Sequence, residues 1–315
     1  MNKKGFEMAF SWIFAIIVGA FILFLAILMI TKVSDNQNYS NDLKGAKEIT
    51  VLADNFELGY ETSSISTIKM PTNSRLYLNC DANNLFGKQE LILRSELYDQ
   101  WSETGKGIKS ENKYFFLEEP LESRGLIVFS RVFEFPFKVA TLSYFLPVDE
   151  EYCFIDPPSD VERELEKNNI TNFKMEACSS KSTKICFNPL GGEDCDTIVI
   201  FNSNEGTVQK NFEEVDSKKV YYEGLSLMFA AILSDQEIYE CQLQRLMLRT
   251  NSLTELYLGK ATYDQGNDCS TNQRNPLEQL NQELSFFEDS SDLPNLASTV
   301  EILESNSRGG GCQLW

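Results

Sequence analysis

Cysteine is the residue whose number and spacing say most about chemistry in this chain. Eight are present: Cys80, Cys153, Cys178, Cys186, Cys195, Cys241, Cys269 and Cys312. An even count suits disulfides, although spacing alone does not give the pairing. No two stand at the C-x-x-C spacing that a tetrahedral thiolate zinc site uses, so no metal ligand is assigned. Histidine is absent altogether. That excludes Ser-His-Asp and Cys-His catalysis and every His-ligated metal. Acid–base chemistry is left to carboxylates. There are 47 acidic against 28 basic residues, a net charge of −19. Such a balance repels nucleic acid, which is excluded as a partner. Two carboxyl groups flanking a bond can hydrolyse a glycoside, but no spacing singles out a pair, and no catalytic residue or cofactor is assigned. In GGEDCD at 191–196, Glu193, Asp194 and Asp196 lack the D-x-D-x-D-G order of a calcium loop, and a plain turn is the better reading. TGKG at 104–107 lacks the upstream glycine and the following Ser or Thr of a phosphate-binding loop.

These groups must be carried by elements, and the first is apolar. Ala9 to Ile30 holds 22 residues without a charge. As a helix it would be about 33 Å long, against a hydrocarbon core of about 30 Å. A cleaved secretory signal has a shorter apolar run and a small-residue cleavage site, whereas ITKVSDNQ follows here. Ser11 and Gly19 are the only soft spots. Lys3 and Lys4 in a short tail place the amino terminus in the cytoplasm. Residues 1–8 are then a cytoplasmic tail, 9–30 a transmembrane helix in contact with the lipid bilayer, and the remainder extracellular. Sequons at Asn38-Tyr39-Ser40 and Asn169-Ile170-Thr171 agree with that side as glycosylation candidates. MNKKGFEM before an apolar helix resembles a prepilin-type signal, with processing between Gly5 and Phe6. The usual glutamate lies fifth after the cut, and here Glu7 is second, so a plain basic tail is preferred. Ala15 and Gly19, with Ala26 further on, offer small residues through which the helix could meet copies of itself.

Beyond the anchor an α+β class is expected, with a strand-rich part followed by a helical one. Residues 31–62 read as a stalk or first ectodomain helix, because Leu43, Ala46, Ile49, Leu52, Phe56 and Tyr60 recur at helical spacing. The polar DNQNYSND within it could form a flexible neck. Residues 63–222 are strand-rich, with β-branched and aromatic runs such as SRLYLNC, GLIVFSRVF and DTIVIF. In FEFPFKV, Phe133, Phe135, Phe137 and Val139 share one strand face, and Pro136 implies an edge strand or a bulge. A short helix at 159–169 could be capped by Ser159 or Asp160. Cys178 to Cys195 read as a stapled hairpin. Residues 223–315 are helical. GLSLMFAAIL is too short to span a membrane and reads as a buried helix. Ser234 and Glu237 would form a capping box for a helix whose seam Tyr239, Leu243, Leu246, Thr250, Leu253 and Tyr257 packs on a neighbouring helix of the same chain.

Parity constrains the bridges. The strand-rich part holds five cysteines and the helical part three. If all eight pair within the chain, an odd number of bridges joins the parts. Cys241 is the expected crossing partner, with Cys80–Cys153 within the strands and Cys269–Cys312 closing the tail.

Taken together, EMAFSWIFAIIVGAFILFLAI, FEFPFKVA, EYCF, CQLQRLM and the terminal CQLW resemble a family of single-pass membrane proteins of DPANN-type archaea. The resemblance implies an archaeal envelope protein with one N-terminal helix and an outside domain, and it supplies no site residues. The expectation is a membrane-anchored surface protein of structural or interaction type, in contact with other envelope proteins or its own copies. An ectoenzyme using paired carboxylates is the alternative.

Overall fold

A computed structural model describes residues 10–58, 65–83, 86–97, 99–102, 107–189, 194–210, 219–266, 272–308 and 314–315. The Gly5–Phe6 junction, Cys269, Cys312 and Glu193 lie outside them.

Helix α1 (Phe10–Leu58) is unbroken over 49 residues, about 74 Å at about 1.5 Å per residue. Its Trp12–Met29 segment has a mean hydropathy of 2.9 and no part of it is buried. Among the described residues this is the one helix long and apolar enough to cross a membrane. The polar DNQNYSND is helical too, and no flexible neck interrupts it. No Gly or Pro lies between Ala20 and Lys44 to stop the helix. The second half of α1 is different in character. Asp42, Ala46, Ile49 and Ala53 are buried, while Leu43 and Leu52, expected on that face, are only half-buried.

Those residues pack on the first of two sheets. It contains β1 (Ile65–Asp81), β2 (Lys88–Leu97), β3 (Gln100–Trp101), β4 (Ile108–Ser110), β5 (Tyr114–Phe116), β6 (Leu121–Glu134) and β7 (Lys138–Pro147), ordered β3-β2-β1-β6-β7-β5 with β4 beside β2. Pairing is antiparallel except between β5 and β7. Side chains alternate faces, as a strand requires. Leu126 and Val128 of β6, with Phe115 and Phe145, face the α1 side, whereas Ile127, Phe129, Tyr114 and Tyr144 face a second, larger core. FEFPFKV is not one strand. It covers the end of β6, a turn at 135–137 with a cis Phe135–Pro136 bond and Phe135 N–H donating to the Phe137 carbonyl at 2.8 Å, and the start of β7; the expected irregularity appears as a register shift between Phe133 and Glu134. All four apolar side chains are nonetheless buried.

The second sheet contains β8 (Tyr152–Ile155), β9 (Phe173–Lys174), β10 (Thr183–Phe187), β11 (Thr197–Asn202), β12 (Glu205–Lys210) and β13 (Lys219–Glu223), ordered β13-β12-β11-β10-β8-β9. β9, β8, β10 and β11 are mutually parallel. The Cys178–Cys195 segment is not a hairpin: it holds one strand, β10, and both neighbours of that strand, β8 and β11, run parallel to it. Helix α2 (Ser159–Asn168) starts from Pro158 at the cap position with no side-chain cap, and Asp160 pairs instead with Arg163 at 2.7 Å.

Four helices complete the large core: α3 (Gly224–Ile232), α4 (Gln236–Gly266), α5 (Arg274–Leu284) and α6 (Leu293–Arg308). Leu227 to Ile232 are buried all round, as an apolar short helix demands. The α4 seam is buried at Tyr239, Leu243, Leu246 and Thr250 against β5, β7 and α5 of the same chain. No Ser234 capping box forms. Its hydroxyl donates back to the Ala230 carbonyl at 2.7 Å, and the Asp235 carbonyl accepts the first α4 bond from Tyr239 N–H. Leu314 is buried, and Trp315 stands edge-on to Phe137 and Tyr257.

Three disulfides join the six described cysteines. Cys80 of β1 pairs with Cys241 of α4, not with Cys153. The two strands concerned lie in different sheets, which keeps Cys80 and Cys153 apart. Cys153 pairs with Cys178, and Cys186 with Cys195. The crossing bridge spans 161 residues and the Cys186–Cys195 bridge 9. In the chain-entropy view the longer closure stabilises by about 2–3 kcal/mol more. Denaturant unfolding of the full chain in detergent should therefore show a larger loss for the C80S/C241S double variant than for C186S/C195S. Equal losses would mean that loop entropy does not govern either bridge.

Candidate functional site

The residues expected from sequence to carry chemistry do not converge. Asp194 binds Lys184 Nζ at 2.6 Å, and Asp196 accepts the Lys184 backbone N–H at 2.8 Å. Both carboxylates hold the start of β10, which accords with a turn. Asn169 is exposed at the left-handed cap of α2, with its own N–H bonded to the Leu165 carbonyl. Asn38 lies within α1. The six described cysteines are all consumed in bridges.

A site that sequence spacing did not indicate lies where the two sheets meet. It is a cleft of about 600 Å³. One wall is the strap between β5 and β6, with Glu118 and Glu119, continued by Glu122 at the start of β6. The other is the amino-terminal end of the parallel strands, with Tyr152, Lys184 and Asp196. Phe145 and Pro147 line it between them, and Asp235 enters from the α3–α4 junction. The contributors lie up to 117 positions apart, which is why no local pattern announced them. The only trace is two short acidic runs, Glu118-Glu119-Pro120 and Asp149-Glu150-Glu151.

Seven carboxylates line this cleft, and each is held by the chain. Glu118 pairs with Lys210. Glu119 accepts the Leu78 N–H, and its own N–H donates to Asp235 at 2.6 Å. Glu122 binds Arg75 Nε at 2.6 Å and accepts from Asn73 at 2.8 Å. Glu150 accepts the Tyr152 hydroxyl at 3.3 Å. Burial pushes Glu150 above the usual carboxylate range, and the neighbouring Glu118 charge adds to this. Burial likewise raises Glu119 and Asp235, with each one's backbone hydrogen bond opposing the shift. Burial also raises the Tyr152 hydroxyl. Of these contacts the Glu118–Lys210 ion pair joins the first sheet to the second.

A second polar constellation is buried deeper. Arg245 of α4 is fully buried without a carboxylate among its described hydrogen-bond acceptors. Its guanidinium donates to the backbone carbonyls of Lys113 at 3.0 Å and Glu111 at 2.8 Å, to Gln242 at 2.5 Å and to Gln89 at 3.2 Å. It also lies 4.9 Å from the Tyr114 ring centroid. Burial lowers its pKa, with Tyr114 and Glu111 opposing. This clamp, next to the Cys80–Cys241 bridge in sequence, ties α4 to the turn after β4.

Away from both, Glu223 closes β13 opposite Glu205 of β12, with Glu301 and Glu304 of α6 nearby and Asn204 donating at 2.8 Å. Burial raises its carboxyl to about 7; Asn204 opposes this, and the three glutamates reinforce it. The native state then holds a proton that the unfolded chain, titrating near 4.5, has released. Its stabilising contribution is full below about pH 4.5 and is lost as pH rises through about 7. Solvent at this half-buried group limits the effect to about 1 kcal/mol. Glu223→Gln should raise the melting temperature at pH 8 but not at pH 4.5, flattening the profile between them. An unchanged profile would remove Glu223 from this role.

Comparison of the chain with family models, with curated proteins and with solved structures found no match. The N-terminal apolar helix and the three disulfides are features of a secreted or membrane-anchored extracytoplasmic protein.

Proposed function

We propose that this chain is a single-pass, membrane-anchored surface protein of structural or interaction type, with its amino terminus cytoplasmic and residues 31–315 extracellular. The observation that carries the reading is the continuity of α1. One helix leaves an unburied apolar segment and, without a break, becomes a packed layer of the folded domain. A domain joined to its anchor in this way is held at a set height and orientation. That suits a subunit that must present a surface or stack with others better than it suits an enzyme on a tether. The basic tail supports the topology, and the resemblance to envelope proteins of DPANN-type archaea agrees with it. A pilin-like subunit would use the exposed apolar half of α1 to pack against copies of itself, with Ala15 and Gly19 allowing close approach.

Protease added to intact cells should remove the domain beyond about residue 35, and crosslinking in membranes should return homo-oligomers. Protection of the whole domain would reverse the orientation. Native mass lacking five residues would establish processing at Gly5–Phe6 and support the pilin-like form. An intact amino terminus with only monomer would leave a plain anchored surface protein.

The cleft favours a second reading, in which Glu150 and Glu118 act as paired carboxylates on a glycan. If so, the full-length protein should release reducing ends from surface polysaccharide, and Glu150→Gln should abolish this while Glu223→Gln retains it. No release by the wild-type protein removes the reading.

A further inference from the structure

The sequon Asn169-Ile170-Thr171 is a motif that neither reading of function uses. It lies between α2 and β9, where the chain leaves the helix and enters the second sheet. Burial alternates there. Ile170 is 5 % exposed and belongs to the large core. Asn172 is also buried; its side-chain amide donates to the Pro147 carbonyl at 2.8 Å, and its own carbonyl accepts the Tyr152 N–H at 2.9 Å. Phe173 N–H donates back to the Ile170 carbonyl at 3.0 Å. The loop is held from inside at Ile170 and Asn172, and Asn169 and Thr171 are left exposed.

The groups that a modification would need are available. Among the described residues the Asn169 side chain makes no hydrogen bond. The Thr171 hydroxyl donates to Asn172 Oδ1 at 3.2 Å, and its two lone pairs stay open as acceptors. Asn169 takes the left-handed conformation, with φ 46° and ψ 43°. Asparagine tolerates this, so a plain helix cap accounts for its presence. Glycine would serve that cap as well, without an acceptor amide. The exposed hydroxyl two residues on has no part in the cap.

We propose that Asn169 carries an N-linked glycan and that Asn38 does not. The sequon joins an acceptor amide to a hydroxyl two residues on. Asn38 to Ser40 lie inside an unbroken helix, where residues i and i+2 do not face each other. At 169–171 the chain is outside any helix and both groups are exposed. In the transfer, Asn169 Nδ2 bonds to the anomeric carbon of an oligosaccharide carried on a lipid phosphate. The anomeric C–O bond breaks, the lipid phosphate leaves with the electron pair, and the proton lost from Nδ2 balances its charge. A membrane-bound transferase of the cell is the catalyst. Four residues on, Phe173 opens β9, the outermost strand of the second sheet. An uncovered outer strand can pair with another chain, and a bulky, solubilising glycan beside it opposes that.

The proposal rests on the extracellular placement of the domain. Its test is mass spectrometry of peptides from the full chain, extracted from the membranes of its native cells. The peptide holding Asn169 should carry a sugar mass, and the peptide holding Asn38 should not. Thr171→Ala should remove that mass, Thr171→Ser should keep it, and Asn169→Asp should remove it while leaving a residue that tolerates the left-handed cap. Circular dichroism checks that each variant is folded, which the exposure of both positions favours. A bare Asn169 in the wild-type protein, a sugar mass that survives Thr171→Ala, or a glycan on Asn38 would each overturn the proposal. Protease added to intact cells separates the two possible failures. If Asn169 is bare and the domain is cleaved, only the glycan assignment falls. If Asn169 is bare and the domain is protected, the topology falls with it.

Discussion

The close seating of α1 on the first sheet is the contact on which the rest of the molecule depends. Gly45 makes it possible. A Cβ there would lie 2.6 Å from Leu93 Cδ2, so a side chain at this position would require the Leu93 side chain to move. Around that point Ala46, Ile49 and Ala53 present small or branched groups to Leu91 and Leu93. One turn earlier, Asp42 is buried and accepts the hydroxyls of Ser95 and Ser102. Apolar packing and a hydrogen-bonded buried carboxyl group thus act together, as a buried polar group requires. Without this seat the first sheet would expose one apolar face, and the apolar half of α1 would be connected to nothing rigid.

The opposite face of the same sheet organises everything else. Tyr144 donates to the Ser226 carbonyl at 2.8 Å, and Ser226 donates to the Val132 carbonyl at 2.8 Å, so α3 is hydrogen-bonded to the strands it covers. Phe129 stacks on Tyr144 at 4.5 Å and meets Phe173 and Phe229 edge-on. These rings tie the first sheet, the second sheet and α3 into one core. The Cys80–Cys241 bridge and the Arg245 clamp fasten α4 across the same sheet. The candidate site is a consequence of this layering: the carboxylate cleft opens where the two sheets meet.

Much of this was legible in the residues. An uncharged run of 22 apolar residues announces a helix long enough to cross a membrane, where the ten residues of GLSLMFAAIL are too few. The α+β class follows from β-branched and aromatic runs giving way to helical periodicity. The burial of α3 follows from its being apolar on every face. Odd counts of cysteine on either side of residue 222 required a crossing bridge if all paired, and Cys241 is its helical end. These are properties of one segment or of arithmetic, and they need no knowledge of neighbours.

What only the tertiary structure decided are relations between distant segments. Phe133, Phe135, Phe137 and Val139 fit a single strand by alternation, yet the chain turns at Pro136, because β6 and β7 each find a long partner in the other. The Cys178–Cys195 segment looked like a hairpin, but it holds only β10, whose partners β8 and β11 lie outside it and run parallel to it, and strand pairing across a sheet is not encoded by local composition. Ser234 is an acceptable cap, but its hydroxyl is drawn to Ala230 because α3 ends beside it. Cys80 and Cys153 both sit in strands, and only their assignment to different sheets separates them. The cleft carboxylates were invisible for the same reason. Each is an ordinary charged residue along the chain, and they become a site only when strands and helices far apart in sequence are packed side by side.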